Sequence, residues 1–191
     1  MDVGERISQL EREIRRCKRC KLSDSRTNAV PGEGSLKPKI FFIGEAPGRN
    51  EDKQGKPFVG AAGSVLTRLL SSIGLSREVV YITNVVKCRP PGNREPTEEE
   101  IEACEPYLRE QLSLLKPKLI ATLGRVAWKW VCDEFGLQYL PLSHVHGKAF
   151  EITTSYGSAT VVPLYHPAVA VYNPNRLPLL KSDMAKLKEL L

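Results

Sequence analysis

Four short apolar runs, at residues 39–43, 79–83, 119–123 and 161–165, constrain the fold of this chain more than any other feature. Each has the length and composition of a buried strand, and each leads into a loop and then a segment with helical spacing. Helices are predicted over 64–73, stopping at Gly74; from a Thr97 cap, with Glu100 three residues on, to about 115; over 126–135; and at the C-terminus to 191. Ile7, Leu10 and Ile14 predict a further helix leading into Cys17. Strands alternating with helices predict a three-layer α/β/α sandwich around a central, four-stranded, mostly parallel sheet. At 191 residues the chain suits one domain spanning 1–191.

Composition removes several alternatives. With 41% hydrophobic and 26% charged residues, the chain is globular rather than disordered or fibrous. The longest apolar stretches, 39–44 and 159–165, fall far short of the roughly 18–20 residues that span a bilayer. The N-terminus, MDVGERISQLERE, has no apolar signal core, which predicts a cytoplasmic protein with no membrane partner. The net charge of +6 is compatible with a polyanionic partner.

In an open α/β sheet, ligands bind beyond the carboxyl ends of the strands. The segments leaving the four runs are 44–63, 84–96, 124–125 and 166–176, and three of them carry unusual residues. The first, GEAPGRNEDKQGKPFVG, lacks the lysine of a phosphate loop and the glycine spacing of a dinucleotide fingerprint. Its acids Glu45, Glu51 and Asp52 read equally as solvated surface, and Phe58 as a packing anchor or a stacking face. Asn84 ends the second run. It is a turn former, or a carboxamide whose donor and acceptor match a pyrimidine edge that sets an N–H beside a carbonyl. His166 follows the fourth run, where an imidazole serves structure or acts as a donor near neutral pH. His144 and His146 read as surface residues.

Five cysteines in a chain without an export signal argue against disulfides. Cys132 lies in an apolar helix and reads as core. Cys17 and Cys20, with Cys88 and Cys104, have the makings of a four-thiolate site for zinc or an iron–sulfur cluster. The basic run Arg15, Arg16, Lys18, Arg19 and Lys21 is a solvated face, a set of cations beside thiolates, or a phosphate contact.

The set GEAPG…GKPFVG, YITNVVKCRPPGNREP and the His-Pro segment, with the four cysteines in this order, closely resembles the family 4 uracil-DNA glycosylases, iron–sulfur repair enzymes of thermophilic archaea and bacteria. The resemblance implies a uracil-DNA glycosylase-like fold, a 4Fe-4S cluster on Cys17, Cys20, Cys88 and Cys104, and hydrolysis of the N-glycosidic bond of uracil in DNA. It implies that Phe58 stacks on the flipped base, Asn84 reads its edge and His166 faces its 2-carbonyl, with Glu45 and Ala46 at the pocket floor. The best-studied branch of the superfamily places an Asp where Ala46 stands, to orient water, and a Tyr where Gly48 stands, to exclude thymine. Glu45 and Glu51 are therefore the catalytic carboxylates to consider. Ala170 and Val171 suit a wedge in DNA and Arg176 a phosphate contact. The implied partner is uracil-containing DNA, single- or double-stranded, with free uracil as product, a monomeric nucleoid-associated enzyme, and recruitment by a sliding clamp left open. Three competing readings stand beside this one: a metal-stapled DNA-binding module without catalysis, a nucleotide-binding enzyme using the 44–60 loop, and a related family 5 glycosylase.

Overall fold

The structure is a computed structural model that describes residues 1–191. Six strands form one sheet: β1 (Glu33–Gly34), β2 (Phe41–Gly44), β3 (Tyr81–Asn84), β4 (Leu119–Leu123), β5 (Phe150–Thr154) and β6 (Gly157–Leu164). Their order is β1-β3-β2-β4-β6-β5. The pairs β2–β3, β2–β4 and β4–β6 are parallel, whereas β1 and β5 add antiparallel edges. The expected four-stranded, mostly parallel sheet is thus corrected to a six-stranded mixed one. Both additions escape an apolar-run reading for the same reason. β1 is two residues long, and β5 with the first half of β6 is a half-exposed hairpin whose polar residues alternate with apolar ones.

The helices are α1 (Val3–Arg15), α2 (Leu22–Ser25), α3 (Arg49–Gln54), α4 (Ala61–Ser72), α5 (Glu98–Leu115), α6 (Arg125–Phe135), α7 (Leu142–Val145), α8 (Ala168–Tyr172) and α9 (Leu177–Lys188). None is long and apolar enough to cross a membrane. The start of α5 follows its local chemistry. Thr97 Oγ1 accepts the Glu100 N–H at 3.2 Å, and the Glu100 carboxylate accepts the Thr97 N–H at 2.8 Å.

Strand residues alternate between two cores. Phe41, Ile43, Tyr81 and Ile120 pack with α1, α5 and α6, while Phe42, Ile82, Ala121 and Val162 pack with α4 and α9. The sheet therefore lies between two helical layers. Because β2, β3, β4 and β6 point the same way, Gly44, Asn84, Gly124 and His166 all emerge at one edge.

Candidate active site

Gly44 and Asn84 stand opposite each other at the ends of β2 and β3. A Cβ at position 44 would lie 2.4 Å from Asn84 Oδ1 and 2.9 Å from the Phe58 ring, so only glycine leaves room for both side chains over that strand end. Asn84 is 2% exposed, and its Oδ1 is sealed from solvent with no donor in the protein. Buried polar atoms in native proteins are nearly always paired, so an orphan acceptor on a pocket wall marks a place where a ligand donates.

Phe58 is held in the left-handed region, at φ +50°, which costs a non-glycine residue of order 1–3 kcal/mol. Its surroundings enforce that shape. Arg77 donates to the Phe58 carbonyl at 2.9 Å and to the Pro57 carbonyl at 2.6 Å. The Glu51 carboxylate accepts the N–H groups of Gly48 at 3.1 Å, Val59 at 2.9 Å and Gly60 at 2.8 Å. A Cβ at Gly63 would fall 1.9 Å from the Phe58 carbonyl oxygen, so the glycine lets α4 approach the strained residue from below.

His166 closes the other side. Its Nδ1 accepts the Ala168 N–H at 3.1 Å, which leaves Nε2 to carry the proton and donate. Burial pushes its pKa down to about 4, with the Glu51 carboxylate opposing, so the imidazole is neutral near pH 7. The His166 and Phe58 rings stack with centroids 5.5 Å apart and planes 28° apart.

Phe58, Asn84 and His166, drawn from three loops, thus line one cleft of about 200 Å³, with Glu45, Ala46, Gly48 and Glu51. The two carboxylates differ. Glu51 is spent on the loop backbone, whereas Glu45 makes no hydrogen bond or ion pair with its side chain. Burial raises its pKa, as does the nearby Glu95, while Arg125 opposes them. Pro90, Asn93 and Arg94 form a lip that the sequence reading missed. Arg94 is fixed by a two-pronged pair with Glu100, at 2.7 and 2.9 Å, and that pairing holds the Glu100 carboxyl down to about 2.

The DNA-contact residues part company. Ala170 is turned into the core, so its methyl is not available to a groove, whereas Val171 is 40% and Tyr172 88% exposed on the same short helix. Tyr172 escaped the sequence reading, although an aromatic just past the small residues was its signal. The Arg176 guanidinium lies 5.2 Å over the Tyr165 ring. His146, expected at the surface, is instead half-buried, 2.7 Å from the buried carboxylate of Asp183.

Cys17, Cys20, Cys88 and Cys104 line a second cavity, below α1 and the start of α5. No three His, Cys, Asp or Glu side chains are gathered to grip a single ion. Three of the four sulfurs accept N–H donors: Cys17 from Arg19 N at 3.4 Å, Cys88 from Arg26 Nη1 at 3.1 Å and Cys104 from Lys87 N at 3.3 Å. Burial raises the Cys88 thiol and pushes that of Cys104 up to about 11. Of the basic run, Arg19 reaches this frame, joined by Arg26. Cys132 is buried in α6, as expected.

The sequence model of the uracil DNA glycosylase superfamily matches residues 31–189. The type-4 uracil-DNA glycosylase of Sulfurisphaera tokodaii is 50% identical over 96% of this chain and 84% of its own length. That of Archaeoglobus fulgidus is 48% identical over 97% of this chain and 94% of its own. The type-5 uracil-DNA glycosylase of Pyrobaculum aerophilum is 32% identical over 78% of this chain and 69% of its own.

Proposed function

The chain belongs to the uracil DNA glycosylase superfamily, in its type-4 branch, and we propose that its cleft takes uracil flipped out of DNA and hydrolyses the bond to deoxyribose. One observation carries this reading: an aromatic ring, an unpartnered carboxamide acceptor and a neutral imidazole converge on a single cleft of about 200 Å³. Extruding the base costs a few kcal/mol, and stacking on Phe58 returns about 1–3 kcal/mol. The Asn84 carboxamide accepts from the uracil N–H and donates to the adjacent carbonyl. Cytosine reverses that edge, leaving buried polar groups unpaired.

As the glycosidic bond lengthens, uracil gathers negative charge and the sugar becomes cationic. His166 Nε2–H donates to the 2-carbonyl oxygen and stabilises that charge without prior protonation. Glu45, the carboxylate with no protein partner, faces the sugar cation and orients water in place of the missing Asp at Ala46. Glu51 acts through the backbone it holds. On the DNA side, Val171 and Tyr172 fill the gap left by the base, and Arg176 meets a phosphate.

The four-cysteine frame suits a 4Fe-4S cluster better than zinc. The resemblance to type-4 enzymes implies that group, and here four thiols surround one small cavity with N–H groups donating to three of the sulfurs. Such a cluster would supply a covalent tie between the end of α1 and the start of α5, so its role is structural.

The test is to incubate the protein with oligonucleotides carrying uracil, thymine or cytosine and then cleave abasic sites with alkali. Strand breaks and free uracil from the uracil substrate alone are expected. DNA binding without base release would replace the enzyme with a binding module.

A further inference from the structure

Lys87 is among the largest side chains fully buried in the protein, yet it faces no carboxylate. Its Nζ donates to Thr83 Oγ1 at 2.7 Å, the Asn84 main-chain carbonyl at 2.7 Å and Gln111 Oε1 at 2.8 Å. A buried amine is expensive, and a methionine would fill the same space at lower cost, so the three bonds need a reason.

The reason lies in the register of β1 against β3. Glu33 pairs with Ile82, and Ser35 N–H donates to the Val80 carbonyl two residues along each strand. In an antiparallel ladder the hydrogen-bonded pairs recur at every second residue, so the next falls on Asn84 and residue 31. Residue 31 is proline and has no N–H. The carbonyl of Asn84 is therefore deprived of its ladder donor at the residue whose side chain reads the base, and the Lys87 amine supplies it. Pro31 in turn offers only its carbonyl, which accepts from Thr83 Oγ1 at 2.7 Å and Gln111 Nε2 at 2.8 Å. The main chain of Lys87 is anchored as well, its N–H on Cys104 Sγ and its carbonyl accepting the Val30 N–H at 2.7 Å.

We propose that Lys87 is a positioning residue for uracil recognition: its amine replaces the donor missing at Pro31, fixes the Asn84 peptide plane and so aims the Asn84 carboxamide into the cleft. Through its main chain, the same residue ties that aim to the cysteine frame.

The proposal rests on the reading of Asn84 given above, and a double-mutant cycle separates the two. Lys87→Met keeps the bulk and the main-chain bond to Cys104, so the iron content per chain should match the parent protein. Well below the melting temperature, Lys87→Met is expected to lose about tenfold in kcat/KM on uracil DNA and to weaken inhibition by free uracil by a similar factor. In an Asn84→Ala background the same substitution should cost nothing further. If the losses multiply, or if only the melting temperature falls, Lys87 is a packing residue and the proposal fails. If Asn84→Ala alone leaves uracil excision intact, the reading of the pocket fails first. Should Lys87→Met not fold, Gln111→Met, which removes one anchor of the amine from α5, decides the cycle. About threefold loss, absent in the Asn84→Ala background, supports the proposal, and a loss that persists there overturns it.

Discussion

The two walls of the cleft are built to different standards. The wall from 44 to 63 is over-determined: Phe58 sits in a strained backbone conformation gripped by Arg77, Glu51 and the approach of Gly63. The wall from 166 to 176 is lightly held. Its five-residue helix α8 leaves Val171 and Tyr172 in solvent, and His166 is oriented by one bond to the Ala168 N–H. The difference teaches a division of labour. Rejecting near-identical bases requires a stacking plane that cannot drift, because an aromatic ring discriminates only at a fixed position. Entering a duplex requires exposed groups that settle against whatever DNA arrives.

The largest expected effect falls on the lighter wall. His166→Ala should lower kcat by roughly 100-fold or more, the range for loss of one well-aimed donor to a developing anion, while DNA binding measured by gel shift persists. Unchanged turnover would remove the imidazole from the chemistry and leave that wall with DNA contact alone.

The two carboxylates sharpen the contrast within the rigid wall. Glu45→Gln is expected to cost about 10- to 100-fold in kcat, with an unaltered melting temperature. Glu51→Gln turns one acceptor oxygen into a donor and so loses at least one of three charge-assisted bonds to backbone, each worth about 1.5–3 kcal/mol, and should lower the melting temperature by roughly 3–12 °C. Reversed outcomes in calorimetry and kinetics would exchange the roles of the two residues.

Tyr172→Ala should raise KM on duplex substrate a few-fold, with less effect on single strands and none on thermal stability. A matching loss of stability would place Tyr172 in the packing rather than the DNA contact.

The smallest expected effect is in pH. Because the imidazole of His166 is held down to about 4, the acid fall of kcat/KM that belongs to it should lie near that value and not near 6.5. Stability moves in the same direction, but over a higher window. Between about 6.5 and 4 the unfolded chain binds a proton at His166 that the folded chain refuses, so stability contributed by this group falls as pH falls through that window. An activity limb centred near 6.5 would show that the residue is less enclosed than its setting in the cleft implies.

Much of this contrast was legible in the amino-acid order, and the reasons differ by residue. The strand at 119–123 and the Thr97–Glu100 cap depend on neighbours a few positions away, so local pattern finds them. Asn84 and His166 were found because they directly follow buried strands. The strain at Phe58 could not be read, since its causes, Arg77 and Gly63 among them, lie in other elements. The antiparallel edges were missed because their outward residues are polar. Lys87 offered only a lysine in an apolar stretch, and its meaning appears once Pro31 is seen opposite Asn84. The match to type-4 enzymes at 50% identity, against 32% for a type-5 relative, agrees with the motif reading.

Gly48 limits what the loop can accommodate. A Cβ there would lie 2.8 Å from Glu51 Oε1, the oxygen that accepts the Gly48 N–H, and so would press on the carboxylate whose other oxygen holds Val59 and Gly60. A bulky side chain at this position would therefore disturb the glutamate latch and slacken the loop that holds Phe58 in place.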